Sequence, residues 1–179
     1  MGYAALTKIL QSSILSWRKG TRMKVLILGC GRVGSTLARH LVQEGHTVAI
    51  IDLTSDSFRR LGSKIKVRRI VGTGMDQDVL RRAGIETADV FVAVTNGDNT
   101  NIMAAQIARQ VFDTKKVIAR IYDPIRAEAY RELGIETLCT TTLATCLIRS
   151  LIDQDDRMKP VEAMLQDMDR DYSDLISLR

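Results

Sequence analysis

Six residues, Gly29-Cys30-Gly31-Arg32-Val33-Gly34, stand between a strand-like run, Lys24-Val25-Leu26-Ile27-Leu28, and a helix-like run beginning near Ser35. Glycines at this spacing suit one kind of chemistry, the holding of phosphate by backbone. Gly29 permits the tight turn out of the strand, Gly31 lets the backbone approach a diphosphate, and Gly34 lets the helix pack close to the sheet. The helix N-terminus then offers unpaired N–H groups and positive dipole to an anion. A second apolar strand ends at Asp52, eighteen residues after Gly34. A carboxylate there can accept both hydroxyls of an adenosine ribose, with Leu53 beside it. Strand, glycine turn, helix, strand and acid in register read as a dinucleotide-binding βαβ unit; the alternative is a glycine turn with no ligand.

The elements that must position these residues continue the same alternation. Strand-like runs at about 24–29, 47–52, 66–71, 88–94, 116–121 and 136–139 are separated by helix-like runs near 32–44, 55–62, 76–83, 98–112 and 124–133. Gly45, Gly84 and Gly134 fall where helices end. The expected fold is α/β: a Rossmann-like, doubly wound, six-stranded parallel sheet in the order 3-2-1-4-5-6, with terminal helical extensions and the glycine loop at the switch point. Apolar residues make up 45% of the chain and aromatics only 4%, so the core is one of Val, Ile, Leu and Ala, as buried parallel strands prefer. A length of 179 residues suits one such domain plus extensions, without a second substrate domain.

Charge is uneven. Residues 1–22 hold Lys8, Arg18, Lys19 and Arg22 and no acid, whereas from Asp153 onward there are eight acids against four bases. Between them cluster Arg59, Arg60, Lys64, Lys66, Arg68 and Arg69. Without interleaved aromatics or a nucleic-acid motif, such a cluster reads as a solvated face, and nucleic acid is not an expected partner. Cys30, Cys139 and Cys146 form no CxxC or Cys/His cluster, which points to reduced thiols in a cytoplasmic protein and to no metal site.

Three segments follow. Residues 1–22 form an amphipathic, basic extension in which Leu6, Ile9, Leu10, Ile14 and Trp17 share a helical stripe too broken to span a bilayer. Residues 23–152 form the nucleotide-binding domain, and 153–179 an acidic helical tail. Leu143, Leu147, Ile148, Leu151 and Ile152 make one further stripe, and after Pro160 come Val161, Met164, Leu165, Met168, Tyr172 and Leu175. The second stripe suits a helix of another subunit or a return onto its own domain.

Gly72-Thr73-Gly74, Thr95-Asn96-Gly97-Asp98-Asn99-Thr100-Asn101, Arg81-Arg82-Ala83-Gly84-Ile85, Ile118-Ala119-Arg120-Ile121 and Leu133-Gly134-Ile135 sharpen the pattern. With the glycine loop and Asp52, they resemble the KTN, or RCK N-terminal (TrkA-N), domain over residues 23 to about 152. The resemblance implies a regulatory nucleotide-binding domain of Trk/Ktr-type potassium uptake systems, binding NAD(H) or ATP/ADP. It implies a membrane potassium transporter or channel as partner, a homo-oligomer of at least two chains, and a cytoplasmic location at the inner face of the plasma membrane. Carried onto this chain, Gly29, Gly31 and Gly34 hold diphosphate and Asp52 the ribose, with Cys30 and Val33 among the cofactor-binding residues of the same loop. Arg32 lies near the terminal phosphates or is a solvated first-turn arginine. Gly72, Thr73 and Gly74 lie beside the adenine, with Thr73 where the family usually has Asp. A hydroxyl donates as well as accepts but carries no charge, so nucleotide preference is expected to differ.

Thr95 and Asn96 border the ligand in this reading, and Asp98 caps the next helix. Arg120, in a strand otherwise buried, meets either a ligand phosphate or an internal carboxylate. Glu132 is a surface glutamate or part of an intersubunit cation site. Regulators of this family carry a further C-terminal lobe, so the chain is expected to be a minimal regulator or a piece of a longer one. Two other functions fit the same loop: a small NAD-dependent oxidoreductase, and a structural adaptor permanently occupied by nucleotide. Against the enzyme, the only histidines are His40 and His46, Tyr122 lacks a Tyr-x-x-x-Lys partner, and no acid–base residue is evident, so no catalysis is expected.

Overall fold

A computed structural model describes residues 22–153. Arg22–Thr145 form one compact unit, and residues 146–153 fall to a second. The stripes within 1–21 and 161–175 lie outside the described residues. Along the chain run β1 (Lys24–Leu28), α1 (Arg32–Gln43), β2 (Thr47–Asp52), a 3-10 segment (Ser55–Leu61), β3 (Arg68–Val71), α2 (Gln77–Ala83), a 3-10 turn (Ile85–Thr87), β4 (Val90–Ala93), α3 (Asp98–Gln110), β5 (Lys116–Arg120), α4 (Pro124–Glu132), β6 (Glu136–Leu138) and α5 (Thr140–Asp153).

All six strands are parallel, in the order β3-β2-β1-β4-β5-β6. The order reverses between β1 and β4, the crevice where such sheets take ligands. Central strands sit between two helical layers, so their sequences are apolar without alternation: Val25–Leu28 and Val90–Ala93 are buried throughout. Leu26 and Leu28 enter a cluster with Ile51, Leu80, Phe91 and Ala105, while Val25 and Ile27 enter another with Ala38, Leu41, Phe58 and Leu61. Sequence periodicity reads 55–62 as a helix. The structure has a 3-10 segment there instead, because Phe58 and Leu61, three apart, satisfy the buried face with the tighter winding. Gly45, Gly84 and Gly134 have φ of +87°, +92° and +81°, the left-handed conformation that ends a helix at glycine without steric cost.

Candidate nucleotide site

The loop leaving β1 turns at Gly29, whose φ is +103° and whose missing Cβ would stand 2.9 Å from the Thr95 nitrogen. Gly34 faces a harder limit: a Cβ there would lie 1.8 Å from the Gly29 carbonyl oxygen, so only glycine lets α1 start against the loop. At Gly31, by contrast, no protein atom comes within 4 Å of a Cβ position, and the residue is exposed. Gly31 caps α1 without a side chain, and no acid stands in the first turn. The first N–H groups of α1 therefore face open space with the dipole uncompensated. α2 and α4 differ, each capped by an aspartate, Asp76 and Asp123.

Asp52 is fixed facing this loop. Its Oδ2 accepts the Cys30 N–H at 2.7 Å and its Oδ1 the Thr54 N–H at 3.1 Å, which leaves each oxygen further lone pairs for hydroxyl donors. The N–H of Cys30 thus serves the carboxylate, and its side chain is buried beneath the loop with Sγ 3.4 Å from the Ser57 carbonyl. Burial first, and the Asp52 charge second, push its thiol up to about 11. An unfolded chain ionises this thiol at lower pH, so the stability it contributes is present below pH 9 and is lost as pH rises toward 11. Alkylation by iodoacetamide at pH 8, followed by mass spectrometry, should therefore modify Cys139 and Cys146 while Cys30 stays intact in the folded chain; modification of Cys30 at the rate of the other two would refute its burial.

The segment after β3 is drawn in by the Gly72 N–H, which donates to the Asp52 carbonyl at 2.9 Å. Thr73 Oγ1 accepts the Met75 N–H at 3.3 Å, and its hydroxyl hydrogen remains to donate outward. Gly74 packs onto Leu28, where a Cβ would come within 2.2 Å of a side-chain methyl. Leu53, Val71, Met75 and Val33 are exposed apolar side chains, 71%, 51%, 49% and 42% accessible. Val71 pairs with Asp52 in register, so exposed apolar surface stands beside the carboxylate, as at a ligand cleft. Sequence reading does not single out Val71 or Met75, because apolar residues at a strand end look like core.

Three expectations need revision. Asp98 does not cap α3; Gly97 holds the cap position, and the Asp98 carboxylate accepts the N–H groups of Tyr122 at 2.9 Å and Asp123 at 3.2 Å. Arg120 meets no carboxylate among the described residues. Its Nη2 donates to the carbonyls of Val94 at 3.1 Å and Thr95 at 2.7 Å, and its guanidinium lies 4.7 Å from the Tyr122 ring centre. Thr95 also has less to offer a ligand than expected. Its N–H and hydroxyl both donate to Oδ1 of Asn101, at 2.8 and 2.7 Å. Asn101, fully buried, returns its amide to the carbonyls of Thr95 and Arg120. The signal for Asn101 is a polar residue on the stripe that otherwise carries Ala104, Ala105 and Ala108. Asn96 is exposed beside this clamp, and Arg32 is exposed at the start of α1, its side chain without a hydrogen bond or ion pair to any described residue. Glu132 is exposed at the end of α4.

Residues 25–141 match the TrkA-N domain. This chain belongs to the TrkA-N family. The "Trk system potassium uptake protein TrkA" of Streptomyces coelicolor is 59% identical over 118 residues, covering 66% of this chain and 53% of that protein. The chain thus spans about half of that relative, and the match to the protein of the same name from Halomonas elongata, 44% identical over 60% of this chain, covers 23% of it. The TrkA-N domain of the inner membrane protein ybaL from Escherichia coli shares the fold, with a TM-score of 0.62, 19% identity, and coverage of 76% of this chain and 99% of that one. So does a GsuK channel bound to NAD, with a TM-score of 0.56, 21% identity, and coverage of 74% of this chain and 25% of that one. The matched stretch of TrkA-N sequence contains the glycine loop, Asp52, the Thr95–Asn101 clamp and β6.

Proposed function

We propose that this chain is a nucleotide-sensing regulatory part of a potassium transport system. NAD(H) or an adenine nucleotide, ATP or ADP, binds at the glycine loop, and its identity biases a membrane transporter or channel. The observation that carries this reading is the facing pair of an open turn at Gly31 and an Asp52 carboxylate fixed by two backbone N–H groups. Diphosphate fits the free N–H groups of α1, and a ribose fits Asp52. Gly72, Thr73 and Gly74 with Leu53 and Val33 flank the base and sugar; Arg32 reaches the terminal phosphates. The potassium link is supported by the Streptomyces relative, identical at 59% of the matched positions.

Binding alone suffices for this role, because a ligand shifts a two-state equilibrium by its difference in affinity for the two states. No chemistry on the nucleotide is part of it. Asp52 is engaged by backbone, the Cys30 thiol is buried and raised, and His46 Nδ1 accepts the Met23 N–H. Steady NADH production from a panel of alcohols, aldehydes and hydroxy acids would overturn the non-enzymatic assignment. The protein works as at least a dimer, held at the inner face of the membrane by its partner; among the described residues no helix is long and apolar enough to cross a membrane.

Calorimetric titration of the full chain with NADH, ATP and ADP tests the site, and Asp52→Ala is expected to weaken binding by roughly 10- to 150-fold, the equivalent of hydrogen bonds to a charged acceptor worth about 1.5–3 kcal/mol. Potassium flux in vesicles holding a Trk-type transporter, with and without the chain, tests the role. Flux that differs among nucleotides supports regulation. Identical flux with binding confirmed would leave the adaptor or enzyme reading.

A further inference from the structure

One edge of the sheet carries a run of positive charge outside the ligand loop. From Arg59 to Arg69 there are six cations, Arg59, Arg60, Lys64, Lys66, Arg68 and Arg69, and no acid. All six are exposed. Ile65 and Val67 alternate with them and are partly buried, Val67 against the core. β3 is the outermost strand on this side and pairs with β2. Asp56 answers Arg59 at 3.0 Å, with the two side chains 77% and 84% exposed, and such an open pair binds weakly. Arg69 donates to the Gly62 carbonyl at 2.9 Å and meets no carboxylate among the described residues. Repulsion among Lys66, Arg68 and Arg69 is relieved by an anionic surface.

We propose that this edge docks the chain onto anionic phospholipid headgroups. The composition decides among polyanions. Protein interfaces are enriched in aromatic, Met and Arg anchors and depleted of Lys at their core, and single-stranded nucleic acid needs aromatic stacking platforms; the strip from 59 to 69 has arginines and lysines but no aromatic or Met anchor. A lipid surface needs only density of basic charge, about 1 kcal/mol per Lys or Arg near the leaflet. The inference rests on the preceding reading in one respect: a membrane partner brings the domain within a Debye length, about 8–10 Å, of the leaflet.

The test is co-sedimentation of the full chain with vesicles of phosphatidylglycerol in phosphatidylcholine, beside vesicles of phosphatidylcholine alone. The variant combines Arg59→Gln, Lys66→Gln and Arg68→Gln. It spares Arg60 and Arg69, which act electrostatically on Cys30 beneath the ligand loop, and it retains the four bases of residues 1–22. The expected result is binding to the anionic vesicles alone, lost in high salt, and weakened about fivefold per charge removed, roughly a hundredfold in the triple variant. Nucleotide affinity should not change, and the melting temperature should not fall, since removing like charges relieves repulsion. Equal binding to neutral vesicles overturns the proposal, as does binding unaltered in the triple variant, which assigns the contact to residues 1–22. Loss of nucleotide affinity in the variant places the strip in the ligand site and also overturns it. Tighter binding to duplex DNA than to the vesicles, lost in the variant, replaces the lipid with a nucleic acid. The vesicles contain no transporter and the assay no nucleotide, so its failure leaves the potassium reading standing and that reading's failure leaves this one.

Discussion

Gly31→Asp is expected to abolish nucleotide binding while the chain melts where the wild type does. The two halves of that outcome come from separate features. Gly31 has φ −74° and ψ −165°, which any L-residue adopts, and no protein atom lies within 4 Å of where its Cβ would be. The fold therefore has room for the side chain. The ligand does not, because the space above Gly31 is the approach to the first N–H groups of α1. A carboxylate there also meets a diphosphate at close range; a like-charge pair at about 4 Å in a partly screened site costs roughly 4 kcal/mol, about a thousandfold in affinity. Gly31→Ala separates bulk from charge and should fall between the two. The neighbouring glycine behaves oppositely: Gly34→Ala drives a methyl to within 1.8 Å of the Gly29 carbonyl, and its first effect is on stability. Calorimetry and thermal melts on these variants decide the matter. A folded Gly31→Asp chain that binds nucleotide normally would remove the glycine loop from the site.

The sheet was legible because burial between two helical layers writes itself as unbroken apolar runs, Val25–Leu28 and Val90–Ala93, punctuated by glycines that end helices. Residue spacing also placed the loop and Asp52, since both belong to one local βαβ unit. Features set by distant partners were not legible. Asp98 looks like a helix cap from its neighbours, but its carboxylate is drawn to the N–H groups of Tyr122 and Asp123, across the gap between β4 and β5. Arg120 looks like a charge awaiting an acid. Carbonyls at the end of β4 and the Tyr122 ring satisfy it instead, and no pattern within β5 reports what the adjacent strand leaves unpaired. At 55–62, contacts three residues apart fit both helix types, so the tighter winding emerges only with packing.

Asn101 shows how such a long-range feature governs the site without touching a ligand, and Asn101→Leu is expected to destabilise the chain by about 2–5 kcal/mol. Leucine keeps asparagine's branched shape with bulkier ends, so at this fully buried position some overpacking adds to the loss of hydrogen bonds. The Thr95 N–H loses its acceptor and the Arg120 carbonyl its donor, both partly buried, at up to about 1–3 kcal/mol for each group left unpaired. The Thr95 carbonyl is spared, because Arg120 also donates to it. Thr95→Val removes the hydroxyl that shares the same Asn101 oxygen, so the double variant should cost less than the sum of the single ones, a coupling that urea unfolding resolves. Nucleotide affinity should fall as well: the Thr95 nitrogen abuts the turn at Gly29, and releasing the clamp loosens the wall on which the phosphate loop rests. Unchanged stability in Asn101→Leu, or strict additivity with Thr95→Val, would refute the clamp.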